Sequence, residues 1–230
     1  MKHLSRLFLL AWACLLAAGA YGQSQPEVRI RLLTLGEMPQ ELYYLTGKEV
    51  QTVAVSSNQF SEAFSYRGNP TFALFVSKPV FGNGGQLLTS PLATLKLPSG
   101  VRDFVLVLYT APDGKYRLQA APIPQTGSQL CVINTVPAPI GMTIDEEPVK
   151  LGPNGVELVP LTFTPDATQR QRIAVKLYAQ DSAGEWKLLR SSGTQLKTRS
   201  QPFMLIYAPS EKAGPNENMV NWSVFYRPAY

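Results

Sequence analysis

The sequence predicts an all-β protein made of two tandem immunoglobulin-like β-sandwich domains. Nineteen prolines and 17 glycines divide the chain into short segments. Such breaks recur about every eight to twelve residues, as they do in β-sandwiches. The segments between them are rich in Val, Leu, Ile, Tyr, Phe and Thr, and no stretch has the periodicity of an amphipathic helix. A phrase in the first half of the chain also recurs in the second half, which indicates an internal duplication.

The first 22 residues have the pattern of a secretory signal peptide. Lys2 and Arg6 form a basic start, and an apolar run follows over residues 7–20. Small residues precede a cleavage point before Gln23. The run is shorter than the roughly 20 residues that span a bilayer, and the residues before Cys14 fit a lipoprotein signal poorly. We therefore expect an exported protein, periplasmic or extracellular, with no transmembrane segment once the signal is removed.

Alternation and turn residues place the strands. Residues 28–32 (VRIRL) and 61–66 (SEAFSY) alternate apolar and polar side chains with the two-residue period of a half-buried strand. Turn residues predict hairpins, at residues 83–85, 112–114, 153–155 and 181–184.

The repeat is visible when residues 71–79 (TFALFVSKP) are laid over residues 172–180 (RIAVKLYAQ). At this offset six positions are identical in the first copy and the second: Ala73, Leu87, Leu88, Ser90, Leu95 and Lys96. A two-residue slip then brings FVLV (104–107) onto FMLI (203–206). We predict one sandwich domain over residues 24–124 and a second over residues 128–230, joined by a linker rich in Pro, Gly and Ser.

Three segments lack the alternation that a solvent-facing strand should show: FALFV (72–76), FVLVLY (104–109) and FMLIY (203–207). The simpler interpretation is that the other domain covers their outer faces. The alternative is an apolar face that awaits a partner protein or a second copy.

The segment VINTVPAPIGMTIDEEPVKLGPNG (132–155) runs strand, Pro-marked turn, strand, tight turn, strand and Pro-Asn-Gly. It resembles uncharacterised exported bacterial β-sandwich proteins. The resemblance implies an exported, bacterial β-sandwich and carries no activity with it.

Few side chains are available for proton transfer or metal binding. The one histidine, His3, lies in the predicted signal, so histidine-dependent triads and His-zinc sites have no residue to use. Cys131 would then be the single remaining thiol, expected as a small buried residue. The acidic run Asp145-Glu146-Glu147 is expected to be a solvated turn, although Ca²⁺ binding is an alternative. We predict no cofactor, no metal and no catalytic residue.

The net charge is small. Twenty-one basic residues, two of them in the predicted signal, face 16 acidic ones, and no basic run could follow a phosphate backbone. Nucleic acid is therefore not expected as a partner.

Three function hypotheses follow. The first is a non-catalytic binding or assembly module for another envelope protein or for itself, acting through apolar strand faces or an edge strand. The second is a carbohydrate-binding module, with Trp186, Trp222 and Tyr226 as the aromatic contacts for ligand or partner. The third is a histidine-free hydrolase with two carboxylates facing each other.

Overall fold

The computed structural model describes residues 27–162, 170–181, 183–197, 199–208 and 220–227. These residues form sixteen strands and contain no helix, so the predicted all-β class is confirmed. The predicted signal peptide lies outside the described residues.

The strands fall into two sets of eight, which we call unit one (β1–β8) and unit two (β9–β16). Unit one contains β1 (Val28–Thr34), β2 (Glu41–Thr46), β3 (Glu49–Ala54), β4 (Phe64–Tyr66), β5 (Thr71–Phe75), β6 (Ala93–Lys96), β7 (Asp103–Thr110) and β8 (Tyr116–Pro122). Unit two contains β9 (Gln129–Asn134), β10 (Ile140–Ile144), β11 (Glu147–Leu151), β12 (Val156–Pro160), β13 (Arg170–Gln180), β14 (Trp186–Lys197), β15 (Gln201–Tyr207) and β16 (Asn221–Arg227).

Both units have the same topology. Unit one has sheets with the orders β4-β1-β7-β8 and β3-β2-β5-β6, and unit two has β12-β9-β15-β16 and β11-β10-β13-β14. The first and seventh strands of each unit pair in parallel, while all other pairs are antiparallel. A shared order that includes this less common pairing is what a duplicated β-sandwich would give.

Three apolar layers hold four sheets together. The core of unit one lies between its two sheets and includes Ile30, Leu42, Phe72 and Leu106. The core of unit two is built in the same way from residues such as Val132, Met142, Val175 and Met204. A third layer joins the sheets β4-β1-β7-β8 and β12-β9-β15-β16, which we call the inner sheets.

This third layer, the inter-unit layer, explains why the central strands do not alternate. Its buried members are Leu33, Val105, Val107, Tyr109, Ala111 and Ala121 from unit one and Cys131, Ile133, Phe203 and Leu205 from unit two. One face of β7 packs in the core of unit one and the other packs against unit two, and β15 does the same from the opposite side. The hypothesis of an apolar strand face that awaits a partner is therefore wrong for β7 and β15, because the other unit buries that face.

The repeat alignment is wrong in one strand. It places Phe104 on Phe203, but Phe104 lies in the core of unit one and Phe203 lies in the inter-unit layer, edge-on to Phe60 with ring centroids 5.5 Å apart. On β7 the residue that faces unit two is Val105, which pairs with Arg31 of β1. The corresponding residue of β15 is Phe203, which pairs with Cys131 of β9. A shift of one residue exchanges the two faces of a strand. Because these two strands are apolar on both faces, the sequence alignment cannot distinguish the correct register from one shifted by a residue.

The predicted turns are confirmed where the structure describes them. Gly114 ends the β7–β8 turn, and its N–H donates to the Ala111 carbonyl at 2.9 Å. Asn154 has a positive φ of 52° in the turn between β11 and β12. The turns at 83–85 and 181–184 also form, apart from residue 182, which lies outside the described residues.

Polar contacts border the inter-unit layer. On one side Gln119 Nε2 donates to the Asn154 carbonyl at 2.7 Å, and the Tyr109 hydroxyl donates to Asn154 Oδ1 at 3.2 Å. On another side Arg227 of β16 pairs with Asp103 of β7 at 3.3 Å. These bonds connect β7 and β8 of unit one to the β11–β12 turn and to β16 of unit two, at two borders of the layer.

Truncation of Phe203 to Ala tests the inter-unit layer. The ring is fully buried between the units, so Phe203→Ala should lower the free energy of unfolding by about 3–5 kcal/mol, measured by urea denaturation. Leu188→Ala, on an exposed side chain, is the control and should change it by no more than about 0.5 kcal/mol. An equally small loss for Phe203→Ala would show that the units do not pack in this way in solution.

Candidate functional site

The burial of the inner faces leaves sheet edges and outer faces as the surfaces that can meet a ligand. β3 is an outer edge of unit one, bonded to β2 alone. The strand EVQTVA contains no Pro, Lys or Arg, the residues with which proteins commonly block exposed edges. An edge of this kind is a template for another strand.

The hairpin geometry shows which backbone groups of β3 point outward. Gly47 and Lys48 form a two-residue turn, and Gly47 has a positive φ of 63°, as the first central residue of a type II′ turn does. Glu49, which flanks the turn, therefore forms a hydrogen-bonded pair with Thr46, and alternation directs the backbone of Gln51 toward β2 as well.

The next backbone bond confirms this alternation, since Val55 N–H donates to the Gln40 carbonyl at 2.9 Å. Val50, Thr52 and Ala54 consequently direct their N–H and C=O groups away from the sheet. Among the described residues, no group forms a hydrogen bond with this outward edge.

The equivalent edge of unit two is blocked. β10 and β11 are joined by Asp145 and Glu146, which both have positive φ values, of 47° and 74°, as a type I′ turn requires. By the same alternation the second residue of β11, Pro148, points its backbone outward, where it has no N–H to offer. Lys150 takes the next outward position. Val50 and Thr52 of β3 thus correspond to a proline and a lysine in β11.

The edge of β14 is covered by side chains of β16. Arg190 donates to Asn221 Oδ1 at 3.0 Å, and its guanidinium lies 4.5 Å above the Trp222 ring. The Tyr226 hydroxyl donates to the carbonyl of Gln195 at 2.6 Å. Since Gln195 lies on β14, this bond occupies an acceptor that another strand would need.

The three predicted aromatic contacts therefore do not form one platform. Trp222 packs against the core of unit two, and Tyr226 lies under the Lys197 ammonium at 5.0 Å from its ring centroid. Burial raises the pKa of the Tyr226 hydroxyl above its ordinary value. Both residues help to close the gap between β14 and β16.

Trp186 is placed differently, on the outer face of unit two. It is 40% exposed, and its ring lies across Gly141, where a Cβ atom would come within 3.0 Å of the indole. A β-bulge near Leu177 places Tyr178 and Leu188 opposite each other, on the same face as Trp186. The glycine lets the indole lie close to the sheet, next to a tyrosine and an exposed leucine.

A second exposed apolar feature is the connection between β5 and β6. Residues 76–92 make this connection, whereas residues 181–185 suffice in unit two. It forms a short hairpin in which Leu88 N–H donates to the Val80 carbonyl at 2.9 Å. Its exposed side chains are Val76, Val80, Phe81, Leu87 and Leu88. The glycine-rich stretch 82–85 is thus a hairpin turn, as the sequence predicts.

A cleft of about 540 Å³ opens where the two units and their connection meet. It is lined by Arg29, Val101, Asp103, Pro122, Ile123, Thr126, Gln201 and Arg227. Arg29 is the direct partner of Asp103 in the β1·β7 ladder, so both project from the face of β1 and β7 that meets unit two.

Arg31 lies two residues further along β1 and, unlike the exposed Arg29, is buried. Its Nη1 donates to the carbonyl of Ser61 at 3.2 Å. The pKa of its guanidinium is lowered, first by burial and then by the positive charge of Arg227. Sequence alternation predicts exposure for Arg31, and the packing of unit two against β1 buries it instead.

Other predicted sites have structural roles. The acidic run Asp145-Glu146-Glu147 is exposed, with the first two residues in the β10–β11 turn and the third at the start of β11. Asp145 Oδ1 accepts a hydrogen bond from Ala174 N–H at 2.7 Å. In the described ranges, no group of three or more His, Cys, Asp or Glu side chains could hold a metal ion. None of the described residues forms a helix long and apolar enough to cross a membrane.

Neither a protein-family model nor a curated protein matches this chain.

Cys131 provides a direct test of the inter-unit layer. Its side chain is buried between the units, and burial raises the pKa of the thiol far above its ordinary value. The thiol should therefore stay protonated, and it should not react with a maleimide at pH 8 in the native protein. Mass spectrometry should show complete labelling in 6 M guanidinium. Rapid labelling without denaturant would show that the layer opens.

Proposed function

We propose that this protein is an exported, non-catalytic binding and assembly module that pairs through the β3 edge. The observation that carries the proposal is the contrast between β3 and β11, which occupy the same place in the two units. β11 has Pro148 and Lys150 at its outward positions, whereas β3 has Val50 and Thr52. Unit one thus offers a bonding edge that unit two blocks.

Strand addition is favoured over packing of apolar faces. The broad apolar faces of the inner sheets already bury each other. Main-chain hydrogen bonds to a strand edge would provide affinity, and the alternating side chains would provide specificity. Such a site needs no enclosed pocket.

A second copy of the chain is a complementary partner for β3. Two β3 edges can meet antiparallel about a two-fold axis at Thr52, with Val50 of each copy opposite Ala54 of the other. No charged residue occupies these outward positions, so the pairing sets no like charges opposite each other. A homodimer formed in this way would have the isologous interface typical of two-fold assemblies.

Introducing the blocking residues of β11 into β3 should prevent association. Val50→Pro removes an outward N–H without breaking the β2·β3 ladder, and Thr52→Lys places a charge on the edge. Size-exclusion chromatography with light scattering should show a dimer for the wild type and a monomer for both variants. Lys150→Thr on β11 is the matched control and should leave the wild-type mass unchanged.

Cysteine cross-linking checks the register of this pairing. Thr52→Cys should give a disulfide-linked dimer under mild oxidation, because directly opposite residues have Cα atoms about 5.5 Å apart. Lys150→Cys should remain uncrosslinked. A monomeric wild type together with an unlinked Thr52→Cys variant would contradict self-pairing. If the monomer instead bound an envelope protein from its host and Val50→Pro abolished this binding, the edge would serve another protein.

Carbohydrate binding is the second candidate, favoured by the surface around Trp186. The exposed indole lies close to the sheet over Gly141, with Tyr178 on the same face, and a flat aromatic surface can stack on the apolar face of a sugar ring. This surface belongs to unit two and is separate from the β3 edge.

Glycan arrays followed by titration calorimetry test this candidate. Trp186→Ala should abolish binding to any glycan that the wild type retains, because it removes the central ring of the surface. Trp222→Phe keeps an aromatic ring in the core of unit two and should bind as the wild type does. Equal retention by the wild type and Trp186→Ala would exclude this surface as the glycan site.

A further inference from the structure

The cleft between the units differs from the remainder of the inter-unit layer in its charge. On the face of β1 that meets unit two, the apolar Leu33 is followed toward the cleft by two charged residues, Arg31 and Arg29. On the same face of β7, the apolar Val107 and Val105 are followed by the charged Asp103. Two arginines and one carboxylate line the cleft itself, namely Arg29, Arg227 and Asp103. The cleft therefore has an excess of positive charge.

Arg227 is held in a position suited to binding a ligand. Its side chain is only 5% exposed, while the Asp103 side chain with which it pairs is 41% exposed. In the described part of the chain, Arg227 Nε and Asp103 Oδ1 are buried and have no hydrogen-bond partner. A buried guanidinium that uses one N–H group toward Asp103 retains donors for an additional acceptor.

A third guanidinium lies near the two that line the cleft. The pKa of the Arg31 guanidinium is lowered first by burial and then by the positive charges of Arg227 and Arg29, while Glu62 and Asp103 act in the opposite direction. Three guanidinium groups near one another give this margin of the inter-unit layer a positive potential, which favours binding of an anion.

We propose that the cleft between the units binds an oxyanion, a carboxylate or phosphate group, carried on a small apolar body. Arg29 and Arg227 hold the anionic group, and the Thr126 hydroxyl and the Gln201 amide are further donors on the cleft wall. The apolar body lies against Val101, Pro122 and Ile123. A volume of about 540 Å³ exceeds the space of a bare phosphate and falls within the range of small-ligand sites.

Binding at this place would also connect the two units. Arg29 and Asp103 belong to unit one, and Gln201 and Arg227 belong to unit two. An anion held by both arginines would add a contact across the junction, so it should stabilise the pair of units against unfolding. The cleft does not include β3, and this site does not depend on the proposed assembly.

Phenyl phosphate, benzoate and inorganic phosphate are the probes, tested by titration calorimetry against the full chain without the predicted signal peptide. Phenyl phosphate should bind more tightly than inorganic phosphate, because its ring contacts the apolar wall. Benzoate binding would identify a carboxylate site, and binding of phenyl phosphate alone would identify a phosphate site. Arg29→Gln should weaken binding about tenfold, the effect of one charged hydrogen bond.

Asp103→Asn should have the opposite effect on the affinity for the anion. It removes the one carboxylate among the described residues that line the cleft, and it should tighten binding about threefold. Lys187→Gln lowers the net charge by one, as Arg29→Gln does, at an exposed position near the start of β14, and it should leave the affinity unchanged. If Arg29→Gln and Lys187→Gln weaken binding to the same extent, or no probe binds beyond the effect of an equal ionic strength of chloride, the proposal is wrong.

Discussion

The contact between the two inner sheets is the constraint on which the rest of this structure depends. β1, β7, β9 and β15 are buried on both faces, so neither unit can expose its inner sheet to water without exposing a continuous apolar surface. Burial of each large side chain contributes about 1.5–3 kcal/mol, and at least ten buried residues share the layer. The two sandwiches therefore form one stack of four sheets.

This use of the inner faces determines what remains for recognition. A β-sandwich has faces and edges, and here the broad apolar faces bind each other. The edges differ between the units although the topology is the same. Tyr226 covers part of the β14 edge, and Pro148 and Lys150 block β11, whereas no described residue protects the edge of β3 in this way. Two units of the same topology permit this difference, because one edge can be blocked while the equivalent edge of the other unit stays open.

The inter-unit layer is also asymmetric in its chemistry. Arg31 and Cys131 occupy corresponding positions on β1 and β9, next to Val105 and Phe203 respectively. Unit two supplies a small apolar residue there, and unit one supplies a buried charge near Arg29 and Arg227. The layer is consequently apolar over most of its area and polar at the end where the connection 123–128 passes. Two sheets packed by apolar contact thus leave a charged cleft at their margin.

The sequence by itself determined the all-β class, the turns and the recurrence of a β phrase, because these depend on local composition and on spacing along the chain. It also indicated that β7 and β15 are apolar on both faces. Only the tertiary structure decided that each unit covers the other, since every residue of a run such as FVLV could face either the core of its own unit or the other unit. For the same reason the repeat alignment was in error by one residue when it placed Phe104 on Phe203.

Most features of the candidate sites could not be predicted from local sequence patterns. Trp186, Trp222 and Tyr226 are similar aromatic residues in the sequence, but pairing places the first on an open face and the other two across the β14 edge. The openness of β3 depends on the hairpin register, which fixes the outward groups at Val50 and Thr52. The arginine cleft joins residues about 200 positions apart in the chain, and no short-range pattern can bring Arg29 and Arg227 together before the inner sheets pack.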